Sequence, residues 1–332
     1  MTASTHGGPD AMGAARWDFS SNANACGPCP AALRAVHGAD AAHYPDPGYT
    51  RLRTALADFH GVDRSRVLLA ASASECIQRL TAWRWRAGDA SIWTPPHAYG
   101  DYAAAAAAWG LPRVDAPGQA SLAWLCDPGS PLGQGEAPEV VRTLLDGVHR
   151  TVVLDCAYAP LRLRGAGALS ATQLERVWQL WSPNKALGLT GVRAAYAIAP
   201  LGAQSDVAAL DALAASWPIG AHGEAMLLAW TRPEVQDWVT ESREKLAGWT
   251  VALRSALAHH GWTCAPSDTA YGCAKPPRPL DASALRERGI KLRDASSFGL
   301  PGWWRLSAQR PDALAALEAA LQEPVMNQES VR

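Results

Sequence analysis

Short apolar segments alternate with helix-like segments along this chain, and polar residues follow directly after several of the apolar ones. Val67–Ala70 is followed by the small residues 71–74 and then by a helical pattern, while residues 151–154 lead into Asp155. Continuous apolar strands that alternate with helices are typical of a mostly parallel sheet covered on both faces. The alternation therefore predicts an α/β fold whose binding groups lie at the carboxyl ends of its strands.

The same patterns place further elements and two domains. A chain of 332 residues is long enough for two domains. We expect an N-terminal arm that joins the small domain (1–36), a large domain with the mostly parallel sheet (37–235) and a smaller α+β domain (236–332). Further strands are predicted at 91–93, 121–126 and 194–199, and helices at 30–36, 49–59, from Glu75, and at 103–109, 233–260 and 314–321.

Composition excludes several classes of function. The formal net charge is -1, which gives no electrostatic reason to expect nucleic acid or an anionic membrane as a partner. Apolar runs are too short to span a bilayer, and residues 1–13 lack the pattern of a signal peptide, so we expect a cytoplasmic protein. Cys26 and Cys29 form a C-x-x-C within a predicted loop, and no second pair lies at zinc spacing, so we expect no metal.

One lysine has neighbours that suit a chemical role. Lys185 lies between Ser182 and Arg193, and the chain has only four lysines, most cationic positions being arginine. A lysine amine forms a Schiff base, whereas a guanidinium keeps its proton. Ser182 and Arg193 are suitable groups for holding a phosphate beside that amine. The alternative is a surface lysine on a loop that contains glycine.

Residues that follow the predicted strands suit pyridoxal 5'-phosphate. Asp155 would pair with a pyridinium nitrogen, and Tyr158 would reach the ring oxygen. Ala73 and Ser74 would offer backbone N–H groups to a phosphate at a helix N-terminus, and Tyr99 would stack on the ring. Taken singly, Asp155 also suits a helix cap and Tyr99 a place in the core.

Two arginines in the C-terminal region suit an anionic substrate. Arg293 and Arg305 flank the loop 294–302. A guanidinium binds carboxylate or phosphate through two parallel hydrogen bonds. The alternative is a pair of surface salt bridges.

Together these segments resemble the class I/II aminotransferases, which are fold-type I enzymes dependent on pyridoxal phosphate. Residues 182–193 resemble the motif S-x-S-K-x-x-G-L-x-G-x-R, residues 155–158 resemble D-E-A-Y, and 43–49 resemble R-Y-P-D-P. The resemblance covers nearly the whole chain and is closest to the histidinol-phosphate aminotransferase and threonine-phosphate decarboxylase groups. It implies a Schiff base at Lys185, and a homodimer with shared active sites in which Tyr44 reaches the cofactor phosphate of the neighbouring subunit.

The same resemblance implies the substrate contacts. Residues 303–307 look like the family's late R-I-S segment, whose arginine, here Arg305, binds the substrate carboxylate. The opening His6-Gly7-Gly8 and residues 18–24 resemble the threonine-phosphate decarboxylase group, in which His6 and Arg293 would face the substrate's phosphate.

One cofactor contact departs from the family. Residues 127–133 correspond to N-P-x-N-P-T-G, but Ser130 replaces the second asparagine, which in the family donates to the ring oxygen. We expect the shorter Ser130 to reach that oxygen only through water. Tyr158 would then be the main direct partner of the oxygen, and the pKa of the imine would change.

These inferences predict an enzyme that acts at Cα of a small, phosphorylated amino acid or amine. One alternative is threonine-phosphate decarboxylase of cobalamin biosynthesis, and another is a non-catalytic protein that binds the cofactor. The sequence does not fix the substrate, the pathway, or whether a proton or CO₂ leaves Cα.

Overall fold

A computed structural model describes residues 6–88, 90–147 and 150–322. The predicted bounds 1–36 and 236–332 both extend beyond this described part, and the domain bounds stay a prediction. The helices, numbered in chain order, are α1 Pro30–His37, α2 Thr50–His60, α3 Ala73–Arg86, α4 Gly100–Trp109, α5 Pro138–Leu145, α6 Ala171–Leu174, α7 Gln204–Asp211, α8 Ala221–Trp230, α9 Pro233–His259, α10 Ala282–Glu287 and α11 Pro311–Gln322.

The strands form two main sheets and one short pair. The strands are β1 Trp17–Asp18, β2 Val67–Ala70, β3 Ile92–Trp93, β4 Leu122–Cys126, β5 Thr151–Asp155, β6 Trp178–Trp181, β7 Ala195–Ile198, β8 Thr263–Cys264, β9 Tyr271–Lys275, β10 Ile290–Lys291, β11 Arg293–Asp294 and β12 Trp304–Ser307.

The larger sheet is mostly parallel, as the alternating pattern predicts. Its six strands run in the order β2-β7-β6-β5-β4-β3. Strands β3 to β6 pair in parallel, and β7 is antiparallel to both of its neighbours, β6 and β2. The carboxyl ends of β4, β5 and β6 therefore meet at one edge, where polar groups from separate strands gather.

Apolar side chains fill both faces of this sheet. On β2, Val67 and Leu69 pack in one cluster with α1, α2 and α8. Leu68 and Ala70 pack in another cluster with α3, α4 and α7. Side chains alternate between the faces of a strand, so an entirely apolar strand needs helices on both sides. This explains why the sequence shows continuous apolar runs instead of alternation.

The smaller sheet lies in the C-terminal part of the chain, in the order β11-β12-β9-β8. Its cluster includes Leu306, residues of α11 and the fully buried Phe19 from the N-terminal segment. Helix α9 contributes Val239 and Leu246 to the large-sheet cluster and Leu253 to this one, so one long helix joins the two cores. Within the described residues, no helix is long and apolar enough to cross a membrane.

Several element predictions need correction, among them the start of α3 and the absence of a predicted strand at β6. Helix α3 begins at Ala73, two residues before the predicted start at Glu75, because the Ser72 hydroxyl caps it by accepting from the Glu75 N–H at 3.1 Å. Strand β6 was not predicted. Its two tryptophans and Gln179 interrupt the aliphatic pattern, and only pairing with β5 and β7 makes it a strand.

Candidate active site

A cavity of about 670 Å³ lies where the large sheet, the small sheet and the N-terminal segment meet. The structure brings together there all but one of the predicted site residues, the exception being Tyr44. The predicted residues that line it are His6, Ala73, Ser74, Tyr99, Ser130, Asp155, Tyr158, Ser182, Lys185, Arg193, Arg293 and Arg305.

Asp155 lies at the buried end of β5, with 4% of its surface exposed. One carboxylate oxygen accepts from the Tyr102 hydroxyl at 2.7 Å, and the other accepts from the Ala157 N–H at 2.9 Å. Burial raises the pKa of this carboxyl, and the nearby charge of Lys185 opposes that shift. Asp155 is thus a fixed acceptor in a low-dielectric site, suited to a cationic ring nitrogen.

Lys185 lies on the loop that follows β6. Its amine is 3.4 Å from the Ser182 hydroxyl and 5.4 Å from the centre of the Tyr158 ring. Gly188 holds this loop against the N-terminal segment, because it has φ +66° and a Cβ there would lie 2.5 Å from the Gly27 carbonyl oxygen. The loop therefore fixes the lysine backbone while the amine stays inside the cavity.

The N-terminus of α3 forms one end of the cavity. Ser72, Ala73 and Ser74 line it, and a helix start presents unpaired N–H groups together with the positive end of the helix dipole. Arg193 lies exposed at this cavity, and among the described residues no carboxylate forms an ion pair with it. This end suits a phosphate. The hydroxyl of Tyr99 lies 3.2 Å from that of Ser74.

Ser130 points toward the arginine side of the cavity. Its hydroxyl accepts from Arg305 Nη1 at 2.9 Å and lies 3.4 Å from the amide nitrogen of Asn22. The same amide nitrogen is 3.3 Å from the Tyr158 hydroxyl. Asn22 was not among the predicted residues, although it lies within the N-terminal segment that carries the resemblance.

Arg293 and Arg305 are directly opposite each other on the antiparallel strands β11 and β12. They are 4% and 6% exposed, and both guanidinium groups lie over the ring of Phe298. Burial lowers the pKa of Arg293, and the charge of Arg305 lowers it further. Like charges directly across a ladder repel, so this buried pair suits a site for an anion. The interpretation as surface salt bridges is wrong, because neither side chain is at the surface.

The N-terminal segment closes one side of the cavity. His6, Gly7 and Gly8 line it, and the ring centres of His6 and Tyr99 are 6.3 Å apart. Gly7 packs so closely that a Cβ would lie 2.1 Å from the Ser20 carbonyl oxygen. Outside the cavity, Asp10 forms ion pairs with Arg286 on α10 and Lys291 on β10, both at 3.0 Å, which hold the segment against these two elements.

Tyr44 lies outside the cavity. It is 78% exposed and stacks on Trp217 with ring centres 4.4 Å apart. This place on the surface of a single chain is compatible with the predicted role toward a neighbouring subunit, which stays a prediction.

The donor set of the cavity fits pyridoxal 5'-phosphate. A buried carboxylate, an amine, a phenol and a helix N-terminus line one space, and the buried Asn22 Oδ1 has no hydrogen-bond partner among the described residues. Asp155 would face the ring nitrogen, Lys185 the aldehyde carbon and Tyr158 the ring oxygen, with the phosphate at the start of α3.

Sequence reasoning missed Tyr102 as well as Asn22. Tyr102 is fully buried, stacks on Trp124 with ring centres 4.6 Å apart, and holds Asp155. The only available signal was its position one turn after Tyr99, but the predicted helix began after it. Helix α4 instead begins at Gly100, which turns Tyr102 toward the sheet.

Comparison with known proteins identifies the family. The aminotransferase class I and II family matches residues 17–319 of the chain. Histidinol-phosphate aminotransferase of Ruegeria sp. (strain TM1040) is 28% identical over 331 residues, which cover 92% of this chain and 90% of that protein.

Two solved structures show the same fold. Histidinol-phosphate aminotransferase from Sinorhizobium meliloti, in complex with pyridoxal-5'-phosphate, has a TM-score of 0.77 and 22% identity and covers 91% of this chain and 88% of its own. L-threonine-O-3-phosphate decarboxylase from Porphyromonas gingivalis has a TM-score of 0.75 and 22% identity, with coverage of 91% and 97%.

Proposed function

The chain belongs to the aminotransferase class I and II family of pyridoxal-phosphate enzymes, and we propose that it transaminates a small, phosphorylated amino acid or amine. The observation that carries the phosphorylated substrate is the cross-strand pair Arg293 and Arg305 in the cavity. The start of α3 would bind the cofactor phosphate. The arginine pair is a second cationic centre and would bind a second anion, on the substrate.

We assign the two arginines different parts of one substrate. Arg305 donates to Ser130 Oγ at 2.9 Å and to the Ser20 carbonyl at 2.6 Å, while its Nε has no hydrogen-bond partner among the described residues. Arg305 is therefore held in one orientation, which suits a carboxylate near Cα. Arg293 and His6 would face the phosphate.

The proposed chemistry needs one proton carrier at Cα. The bound cofactor supplies an electron-accepting ring that stabilises negative charge on Cα, and Asp155 keeps its nitrogen protonated. The amine of Lys185, which lies inside the cavity, would take the proton from Cα of the substrate and hold it for return. Arg305, by holding the substrate's carboxylate in one orientation, would help to select the bond of Cα that breaks.

A second candidate is decarboxylation of a phosphorylated amino acid, as in threonine-phosphate decarboxylase. The observation in its favour is that His6, Gly7 and Gly8 line the cavity, since the resemblance to that group rests on this opening. Arg305 would then orient the substrate so that the bond between Cα and the carboxylate is the one that breaks.

One assay separates the candidates. The protein, supplied with the cofactor, is given histidinol phosphate or threonine phosphate, each with and without 2-oxoglutarate. Transamination predicts glutamate that depends on 2-oxoglutarate; decarboxylation predicts CO₂ without it. The dephosphorylated compounds are the controls, and equal turnover with them would contradict the phosphate assignment.

We also propose a homodimer in which Tyr44 serves the partner's site. Mixing inactive Lys185→Ala subunits with Tyr44→Ala subunits tests this, because a mixed dimer contains one site with both residues intact. Recovered activity is the expected result. No recovery, although the two variants form mixed dimers, would contradict a shared site.

A further inference from the structure

Asn22 lies between the two groups that are expected to serve the cofactor's ring oxygen. Its amide nitrogen is 3.3 Å from the Tyr158 hydroxyl and 3.4 Å from the Ser130 hydroxyl, and the residue is 7% exposed. Both contacts are long for hydrogen bonds, so its two N–H groups can turn to a closer acceptor in the cavity.

Ser130 makes its closer contact on the side of the cavity where Arg305 lies. Its hydroxyl accepts from Arg305 Nη1 at 2.9 Å, the shorter of its two contacts. Arg305 has a second fixed contact at the Ser20 carbonyl, so Ser130 and Ser20 together hold the guanidinium group. A serine in this position therefore orients the substrate-binding arginine.

The backbone around Asn22 is fixed on both sides. The carbonyl of Ser21 accepts from the Ser307 hydroxyl at 2.5 Å, which ties the segment to β12. The N–H of Asn24 donates to the carbonyl of Lys185 itself at 2.9 Å, and its side-chain amide donates to the Ala186 carbonyl at 3.0 Å. Asn22 is thus held between the substrate-binding strand and the lysine loop.

The amide also has an unused acceptor. Asn22 Oδ1 is buried and has no hydrogen-bond partner among the described residues, although Asn22 lines the cavity. Leaving such a group unpaired costs free energy, which a ligand that supplies a donor would recover.

We propose that Asn22 is the amide that donates to the cofactor's ring oxygen beside Tyr158, and that Ser130 instead positions Arg305 for the substrate. The proposal rests on the proposed function, because it needs the cofactor in this cavity. In this proposal, the contact to the ring oxygen and the positioning of Arg305 are made by two residues that are 108 positions apart in the chain.

The test is a pH titration of the visible absorbance of the bound cofactor. A hydrogen bond donated to the ring oxygen stabilises the negative charge of that oxygen. It therefore favours loss of the proton from the neighbouring imine nitrogen and lowers the pKa of the imine. Asn22→Leu should therefore raise the titration midpoint by about half to one pH unit, as expected for one lost hydrogen bond. Asn22→Asp keeps the shape of the side chain and should raise the midpoint further, because it adds a negative charge.

Matched variants separate the two tasks. Ser130→Ala should leave the midpoint in place and raise the KM for the substrate, whereas Ser130→Asn in the Asn22→Leu background should restore the midpoint. Ser21→Ala, one residue away, is the control for disturbance of the segment, because its hydroxyl accepts only from the nearby Ala23 N–H among its described contacts.

The titration midpoints of the variants decide between Asn22 and Ser130 as the donor to the ring oxygen. A midpoint that moves with Ser130→Ala and stays constant in both Asn22 variants would overturn the proposal. If Asn22→Leu does not fold, the smaller Asn22→Ala, which also lacks the donor and adds no charge, carries the test instead. Absence of any visible cofactor band in the wild-type protein would instead overturn the proposed function itself.

Discussion

The two halves of the cavity are built in different ways. The half proposed to bind the cofactor, called the cofactor half, takes Asp155 from the end of β5, Ser72–Ser74 from the start of α3, and Lys185 from the loop after β6. The half proposed to bind the substrate, called the substrate half, is joined by long-range contacts, since Arg305 donates to Ser130 and Ser20, which are 175 and 285 residues away in the chain. The comparison indicates that residues at the ends of elements of one sheet form the first half, while contacts between segments far apart in the chain orient the groups of the second half.

The largest expected effect is on the cofactor half. Asp155→Asn should lower kcat by about a hundredfold or more, because it removes the charge that keeps the ring nitrogen protonated. Steady-state kinetics at saturating substrate measure this, with the exposed Asp146→Asn as the control. A change in KM with an unchanged kcat would contradict the assignment of Asp155 to the cofactor half.

The same variant gives a pH prediction for the cofactor-free protein. Burial raises the pKa of Asp155, so the folded state holds this proton more tightly than the unfolded state does. The contribution of Asp155 to stability is therefore greatest at acid pH and is lost as pH rises through its folded pKa. Thermal unfolding at pH 8 should show Asp155→Asn to be at least as stable as wild type; a marked loss would contradict the assigned cause.

The next largest effect is on the substrate half. Arg305→Lys should raise the KM by roughly tenfold to a hundredfold, since a hydrogen bond to a charged group contributes about 1.5–3 kcal/mol. The cofactor absorbance should stay unchanged. A shifted absorbance with an unchanged KM would show that Arg305 serves the cofactor half instead.

A smaller effect is expected behind the cofactor half. Tyr102→Phe removes the hydroxyl that holds Asp155 at 2.7 Å and that lowers its pKa, so the carboxyl should hold a proton more readily. We expect an increase of several-fold to about tenfold in the Kd for the cofactor. Phe298→Leu, beside the two arginines, should alter KM and leave this Kd in place.

The smallest effect is expected at the edge of the substrate half. Hydrogen bonds from Arg286 and then Lys291 hold the pKa of Asp10 below its usual range. The stabilisation from the ion pairs of Asp10 with Arg286 and Lys291 is therefore fully present at neutral pH, and it is lost only as pH falls into the acid range. Asp10→Asn should raise KM by only a few-fold, as expected for a surface ion pair, and this difference from wild type should shrink at high salt. A lower kcat would contradict this account, because it would show that the ion pairs of Asp10 affect the chemical step.

The sequence made the cofactor half predictable because its residues follow a local rule. Asp155 and Tyr158 come directly after an apolar strand, and Lys185 has a distinctive motif around it. Periodicity and strand ends are visible in a single sequence, so these residues could be assigned to one edge of a sheet before the structure was known.

The substrate half was only partly predictable for the opposite reason. The loop between Arg293 and Arg305 was apparent, but the direct pairing of the two arginines depends on strand register. The place of Asn22 beside Ser130 and Tyr158 depends on folding of the N-terminal segment across both sheets. No local pattern encodes such contacts, so the departure at Ser130 was visible while its consequence was not.

The most direct test of the account is to find which amine holds the cofactor. The protein is incubated with pyridoxal 5'-phosphate, reduced with borohydride so that the cofactor stays attached, digested and mapped by mass spectrometry. We predict attachment at Lys185, with a visible absorbance band that Lys185→Ala abolishes. Attachment at Lys245, Lys275 or Lys291 in place of Lys185, or no attachment at all, would contradict the account.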